Sequence, residues 1–170
     1  MKKILLGLFS ISVFFFLLMS AIRILFTPLY LQWEYHRSYF PPDVYGFTTA
    51  DRLHWGKISM EYIVSGVDIS YLANQKLPDS TPLYNQREVS HMLHVQIVFQ
   101  NMLTAWSIMA GLYLLMLWVV WKQKWWKEWS RALRLGGWIT LGLVGAIMLG
   151  VAISFYQLFE LFHQLFFTGD

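Results

Sequence analysis

Three long stretches without charged residues, at 4–22, 102–121 and 135–159, constrain this chain more than any other feature. A helix rises about 1.5 Å per residue, so each stretch can cross the ~30 Å hydrocarbon core of a bilayer. Segments in lipid must satisfy their own backbone hydrogen bonds, which favours helices. With 56% hydrophobic and 14% charged residues in 170, the chain is too apolar for one soluble domain. The sequence therefore predicts an all-α membrane protein, 1–170 forming a single membrane domain with three transmembrane helices.

The order of apolar and polar segments predicts the domain organisation. The first apolar run is longer than the 7–15 residues typical of a signal peptide, so we expect an uncleaved anchor. The predicted segments are a first transmembrane helix at 4–26, an extracytoplasmic loop or cap at 27–84, a helix at 85–121 that enters the second span, a basic cytoplasmic loop at 122–134, and a third span with its outer extension at 135–163.

The basic residues indicate the orientation of these spans. Lysines follow Met1, and the loop between the second and third spans contains Lys122, Lys124, Lys127, Arg131 and Arg134. Short basic segments stay on the cytoplasmic side, so the N-terminus is predicted to be cytoplasmic and 27–94 to face outward. Basic and tryptophan residues also mix in nucleic-acid patches, but between two spans they indicate membrane anchoring. We expect no nucleic-acid partner.

The segment 27–84 is predicted to contain one amphipathic helix. Thr48 and Asp51 have the spacing of a helix start, and Gly66 follows a run of apolar residues at helical spacing. The preceding loop is rich in aromatic residues, which favours a place against the headgroup region or over the helix ends. His36 and His54 are interpreted as surface histidines.

A polar stripe at the start of the second span is the main candidate site. Asn85 and Glu88 are spaced as an N-cap and its reciprocal partner, so a helix is predicted to begin there. At about 100° per residue, one sector roughly 80° wide holds Arg87, His91, His94, Val98 and Asn101. Polar groups at a membrane helix should face protein or water, and ionisable ones suggest function.

A second polar group follows the third span. Tyr156, Glu160 and His163 share a helix face at i, i+4 and i+7. Because this helix is predicted to exit on the outer side, we expect His163 to return to the level of His91. Within the span, Gly142, Ala146, Gly150 and Ser154 repeat every four residues, which favours close helix packing.

These residues leave several chemistries open. The chain has no cysteine, which excludes a thiol nucleophile, a disulfide or a cysteine zinc site on this protein. Glu88 to His91 and Glu160 to His163 are both E-x-x-H, yet a di-metal centre needs two further carboxylates, for which Glu34 and Glu61 are candidates only by elimination. The alternatives are metal-free acid-base catalysis by two histidines, or histidines that only form structural hydrogen bonds. Ser90 lacks the strand-turn-helix setting of a hydrolase nucleophile.

Three motifs resemble the bacterial lipoprotein intramolecular transacylase family of membrane proteins. They are F-T-P-x-Y at 26–30, R-E-V-S-H-M at 87–92 and F-x-x-F-H at 159–163. The resemblance implies an enzyme of the bacterial cytoplasmic membrane. It would move the sn-2 acyl chain of a diacylglyceryl-cysteine to the cysteine α-amine, which gives a lyso-form lipoprotein. The implied partners are the diacylglyceryl-modified lipoprotein and membrane lipids, and no cofactor or metal is expected.

By position, the family's two motif histidines correspond to His91 and His163. We expect one to act as base and the other as acid, with Arg87 at the oxyanion. Supporting roles are assigned to Glu88, His94, Asn101, Tyr156 and Glu160. The family usually has H-M-x-D-V and a fourth span, whereas this sequence has His94 at the aspartate position and ends at Asp170.

Two rival functions make different predictions. A metal-dependent membrane hydrolase would use the two E-x-x-H pairs and would be silenced by chelators. A non-catalytic lipoprotein-binding factor would tolerate loss of both histidines. A transporter is disfavoured, because its ionisable residues would lie near the midplane on interrupted helices.

Overall fold

The structure is a computed structural model, and it describes residues 2–166. Among these residues there are six helices and no strand. The helices are α1 Lys2–Leu25, α2 Pro28–Tyr35, α3 Thr49–Ser65, α4 Ser70–Ala73, α5 Gln86–Gln123 and α6 Trp126–Phe166. In length and composition α1, α5 and α6 are able to cross a membrane. The prediction of an all-α membrane protein with three spanning helices is confirmed.

The chain divides into two compact units, which are described separately. Among the described residues, unit 1 contains 2–20 and 104–166, and unit 2 contains Ala21–Leu103. Unit 1 therefore holds most of α1, the second half of α5 and all of α6. Unit 2 holds α2, α3, α4 and the first half of α5, where the polar stripe lies.

In unit 1, α1 and α6 approach closely at Gly136. A Cβ atom added there would lie 2.7 Å from the carbonyl oxygen of Ser10 and 2.8 Å from Cβ of Val13. The Ser10 hydroxyl donates to the carbonyl of Ala132 over 2.9 Å. Small residues permit this contact, because helices in lipid associate largely through close packing.

The polar contacts of α1 define helix directions in unit 1. The Lys2 ammonium lies 2.6 Å from the Glu128 carboxylate, so α1 and α6 begin at the same end of the unit. The hydroxyls of Ser12 and Tyr113 are 2.8 Å apart, and further along α1 the Trp106 indole donates to Ser20 over 2.9 Å. Residue numbers rise from Ser12 to Ser20 along α1, while those of their partners on α5 fall from Tyr113 to Trp106. These two helices are therefore antiparallel.

The segment that joins α5 to α6 is short. α5 ends at Gln123 and α6 begins at Trp126, and Lys124 between them has a left-handed backbone with φ of 55°. Most of the basic segment 122–134 thus forms the first turns of α6. Further along, the helix is broken at Ser154, where φ is −157° and ψ is 84°.

Unit 2 is built around α3, and the helix predicted there is confirmed. The Thr48 side chain accepts from the Asp51 amide over 3.2 Å, and the Asp51 carboxylate accepts from the Thr48 amide over 2.9 Å. The Thr48 hydroxyl also donates to the Asp51 carboxylate over 2.6 Å. This bond, together with the one from the Thr48 amide, holds the pKa of Asp51 below its ordinary value, because both stabilise the carboxylate. Gly66 ends the helix with a left-handed backbone, φ 68°. The buried core of the unit is Tyr62, Ile63, Leu72 and Phe99.

Candidate active site

The first turn of α5 has the predicted cap. The Asn85 side chain accepts from the Glu88 amide over 2.9 Å, and the Glu88 carboxylate accepts from the Asn85 amide over 2.8 Å. This reciprocal pair satisfies backbone donors that the helix start would leave open. The cap prediction is confirmed. The Glu88 carboxylate therefore stabilises the helix start, three residues before His91.

Two glutamines that sequence reasoning missed hold α5 against α3. Nε2 of Gln96 donates to the carbonyls of Tyr62 and Val67, both over 2.8 Å. Nε2 of Gln100 donates to the carbonyls of Ile63 and Val64 over 2.8 and 2.9 Å. The last carbonyls of a helix have no partner within the helix, and these amides supply one. Their i, i+4 spacing, on a different face of the helix from the polar stripe, was the available signal.

We expect Gln96→Leu to destabilise the protein by about 1–3 kcal/mol, because the substitution removes a hydrogen bond to the buried Tyr62 carbonyl and a second one to the partly exposed Val67. Thermal or denaturant unfolding of the purified protein in detergent measures this loss. Gln86→Leu is the matched control, since Gln86 is exposed at the start of the same helix. Equal stability of the two variants would show that the hydrogen bonds of Gln96 to Tyr62 and Val67 do not stabilise the protein.

The apolar packing of α5 sets the exposure of the polar stripe. Met92, Val95 and Phe99 belong to the core cluster around α3. On the neighbouring face His91, His94 and Val98 are half-buried, whereas Arg87 and Asn101 are exposed. The stripe therefore lies at the boundary of the packed core of unit 2. Half-buried imidazoles flanked by an exposed guanidinium can exchange protons with a ligand that approaches this face.

His94 has an unusual environment. Its Nδ1 atom is buried and has no hydrogen-bond partner among the described residues. Buried side-chain nitrogens are nearly always paired in folded proteins, and an unpaired one costs free energy. The resemblance leads one to expect an aspartate at this position. An aspartate has no side-chain nitrogen, so the unpaired buried donor or acceptor is specific to His94.

Tyr84 borders the start of α5. Its hydroxyl lies 2.6 Å from the Ser59 hydroxyl of α3, so the segment before the cap is tied to the core of unit 2. Burial raises the pKa of Tyr84, and the nearby Glu88 carboxylate acts in the same direction, although the Ser59 hydrogen bond opposes both. Tyr84 thus stays a neutral donor or acceptor near Glu88.

The second histidine lies on α6 in unit 1, beyond the break at Ser154. His163 is half-buried, and its ring centroid is 5.7 Å from that of Phe159. The Glu160 carboxylate accepts from the Gln164 amide over 3.3 Å, and Tyr156 is 74% exposed. The residues from 155 to 166 are helical, so Tyr156, Glu160 and His163 keep the predicted face.

The predicted site residues thus fall into two groups. Arg87, Glu88, His91, His94 and Asn101 lie on α5 in unit 2, and Tyr156, Glu160 and His163 lie on α6 in unit 1. The convergence of His91 and His163 remains a prediction. Over residues 2–166, no three histidine, aspartate or glutamate side chains form a group that could hold a metal ion.

Comparison with known proteins places both motif histidines within one family match. The model of the family described as lipoprotein intramolecular transacylase Lit matches residues 6–170. The chain belongs to this family. It is also 30% identical over 74 residues to an uncharacterized protein of Aquifex aeolicus, strain VF5, which covers 44% of this chain and 34% of that relative. No solved structure matches. The chain thus aligns with about a third of the length of that relative, and its membership of the transacylase family rests on the nearly full-length match.

Proposed function

We propose that this transacylase family member moves an acyl chain within a bacterial lipoprotein. The sn-2 acyl group of the diacylglyceryl-cysteine would pass to the α-amine of the same cysteine, and the product would be the lyso-form lipoprotein. The observation that carries the proposal is the family match over 6–170, which includes the R-E-V-S-H-M and F-x-x-F-H motifs. The bacterial cytoplasmic membrane follows as the location, with the N-terminus inside and the histidines at the outer surface.

Starting from the ammonium form, the reaction removes two protons from the nitrogen and adds one to the glyceryl oxygen. An α-ammonium group has a pKa near 7.7–8.0, so it must lose a proton before the nitrogen attacks the ester carbonyl. In the proposed mechanism one of His91 and His163 accepts this proton. The carbon–nitrogen bond then forms, the nitrogen releases its second proton to solvent, the bond from carbon to the glyceryl oxygen breaks, and the other histidine protonates that oxygen. The net change is one amide, one hydroxyl and one released proton in place of one ester and one ammonium group.

Donor and acceptor belong to one substrate molecule, so their proximity is largely built in. No acyl-enzyme is required, and Ser90, which is exposed on α5, needs no part in the chemistry. We assign Arg87 to the oxyanion that develops on the ester carbonyl, because an exposed guanidinium can turn several donors toward it. His94, Asn101, Tyr156 and Glu160 are assigned to orienting the histidines or the substrate.

The helix contacts on both sides of His91 support the assignment of that residue. Glu88 stabilises the start of α5, and Gln96 and Gln100 fix its rotation against α3. A catalytic imidazole needs such a rigid backbone, since a small misplacement lowers the rate strongly. The parallel starts of α1 and α6 in unit 1 also agree with basic segments on one side of the membrane.

The proposal is tested by reconstituting the purified full chain in liposomes with a diacylated lipoprotein. Substrate and product are isomers of equal mass, so the N-terminal peptide is fragmented in the mass spectrometer. We expect fragments with an amide-linked acyl chain and a glyceryl group that keeps one chain. A metal chelator should leave this conversion unchanged. Absence of N-acylation would contradict the proposal, and silencing by the chelator would favour the metal-dependent hydrolase.

A further inference from the structure

A charged cleft lies in unit 2, where α1 ends, and neither His91 nor His94 lines it. It has a volume of about 390 Å³, and its charged lining residues are Arg23 of α1 with Lys57 and Glu61 of α3. Apolar side chains complete it, among them Phe26, Met60 and Val64. Charged and apolar groups thus share one concave surface at the boundary between a spanning helix and the polar part of the chain.

The guanidinium of Arg23 is held in place by one hydrogen bond and has further N–H donors that this bond does not use. Its Nη1 atom donates to the carbonyl of Phe26 over 2.9 Å, and the side chain is half-buried. Among residues 2–166, the guanidinium makes this one hydrogen bond. A guanidinium has five N–H donors in a planar fork, so the others remain for a ligand or water. Arginine in this form suits two oxygens of a phosphate group.

The cleft has an excess of positive charge. Lys57 and Glu61 are four residues apart on α3, a spacing that allows an ion pair, yet within the described part of the chain neither cation of the cleft lies within 4.0 Å of Glu61. The Glu61 carboxylate accepts from the Tyr71 hydroxyl over 3.1 Å. Two cations therefore line the cleft together with one carboxylate, which is hydrogen-bonded to Tyr71.

The level of Arg23 in the membrane suggests the source of an anion. Arg23 ends an uncharged run that begins at Ile4, so we expect its guanidinium where the hydrocarbon gives way to lipid headgroups. Phosphate groups of lipids lie at the same level, and nearby cations bind anionic headgroups. The apolar lining residues suit the glycerol and upper acyl segments of a lipid.

We propose that this cleft binds the phosphate group of an anionic lipid. Arg23 and Lys57 bind the phosphate oxygens, and the apolar lining contacts the chain below them. The site is separate from the proposed acyl-transfer reaction and does not depend on it. Free inorganic phosphate has the same chemistry and is the second possible source of the group.

The test is a lipid titration of the full chain in a non-ionic detergent, with bound lipid counted by native mass spectrometry. The probes are phosphatidylglycerol and phosphatidylcholine with identical acyl chains. We expect preferential retention of phosphatidylglycerol, which Lys57→Gln and Arg23→Gln each reduce roughly fivefold, the factor typical of one cation near an anionic surface. Lys57 is exposed on α3, so its replacement should leave the circular dichroism spectrum unchanged.

Lys76→Gln is the matched control, because Lys76 is an exposed lysine of unit 2 outside the cleft. We expect it to keep the preference for phosphatidylglycerol. Displacement of the lipid by inorganic phosphate would identify free phosphate as a ligand, and resistance to displacement would identify the lipid headgroup. An unchanged preference in a folded Lys57→Gln variant, or an equal loss in Lys76→Gln, would overturn the proposal.

Discussion

Replacing His91 with alanine is expected to lower acyl transfer at least about 100-fold and to leave the fold intact. Acid-base catalysis by one positioned side chain contributes roughly 100- to 10,000-fold. His91 is half-buried beside the core of unit 2. The helix cap at Asn85 and the hydrogen bonds of Gln96 stabilise α5, and neither involves His91. The rate is measured by fragmentation of the N-terminal peptide, and the fold by circular dichroism and thermal unfolding. His163→Ala should show the same loss.

Each histidine has a matched control in its own unit. His54→Ala changes an exposed histidine of α3 in unit 2, and Gln157→Ala changes an exposed glutamine of α6 beyond the break at Ser154. Both controls are expected to retain wild-type conversion. A folded His91→Ala or His163→Ala protein with full activity would refute the acid-base assignment. If such a variant still co-purified with the lipoprotein, a non-catalytic binding factor would be the better description.

The second large effect is expected for Gly136→Ala, which should destabilise unit 1 by about 1–3 kcal/mol. The added methyl group would lie 2.7 Å from a backbone oxygen of α1 and 2.8 Å from Val13. Backbone atoms cannot rotate away as a side chain can, so α1 and α6 must separate and lose the bond from Ser10 to Ala132. Denaturant unfolding in detergent measures the change.

Gly142→Ala is the matched control for this contact. A Cβ atom at Gly142 meets no atom within 4 Å, and alanine has a higher helix propensity than glycine. This variant is expected to be at least as stable as the parent protein. Equal stability of the Gly136→Ala and Gly142→Ala variants would show that the close approach at Gly136 does not limit packing.

The spanning helices, α3 and the helix caps could be predicted from the sequence, because their causes are local. Apolar length determines α1, α5 and α6 in lipid, and the caps at Thr48 and Asn85 join residues three apart. The candidate residues His91 and His163 came from short motifs within the matched family. The boundary of the basic segment was less predictable, since charged residues form helix as readily as loop beside a spanning segment.

Only the tertiary structure decided which polar and small residues hold the helices together. Gln96 contacts carbonyls 34 and 29 residues earlier in the chain, and no local pattern identifies such partners. The repeat at Gly142 suggested the packing face of the third span, yet α1 approaches Gly136. Periodicity states which residues share a helix face. The rotation of that face depends on the neighbouring helices, and long-range packing and hydrogen bonds determine it.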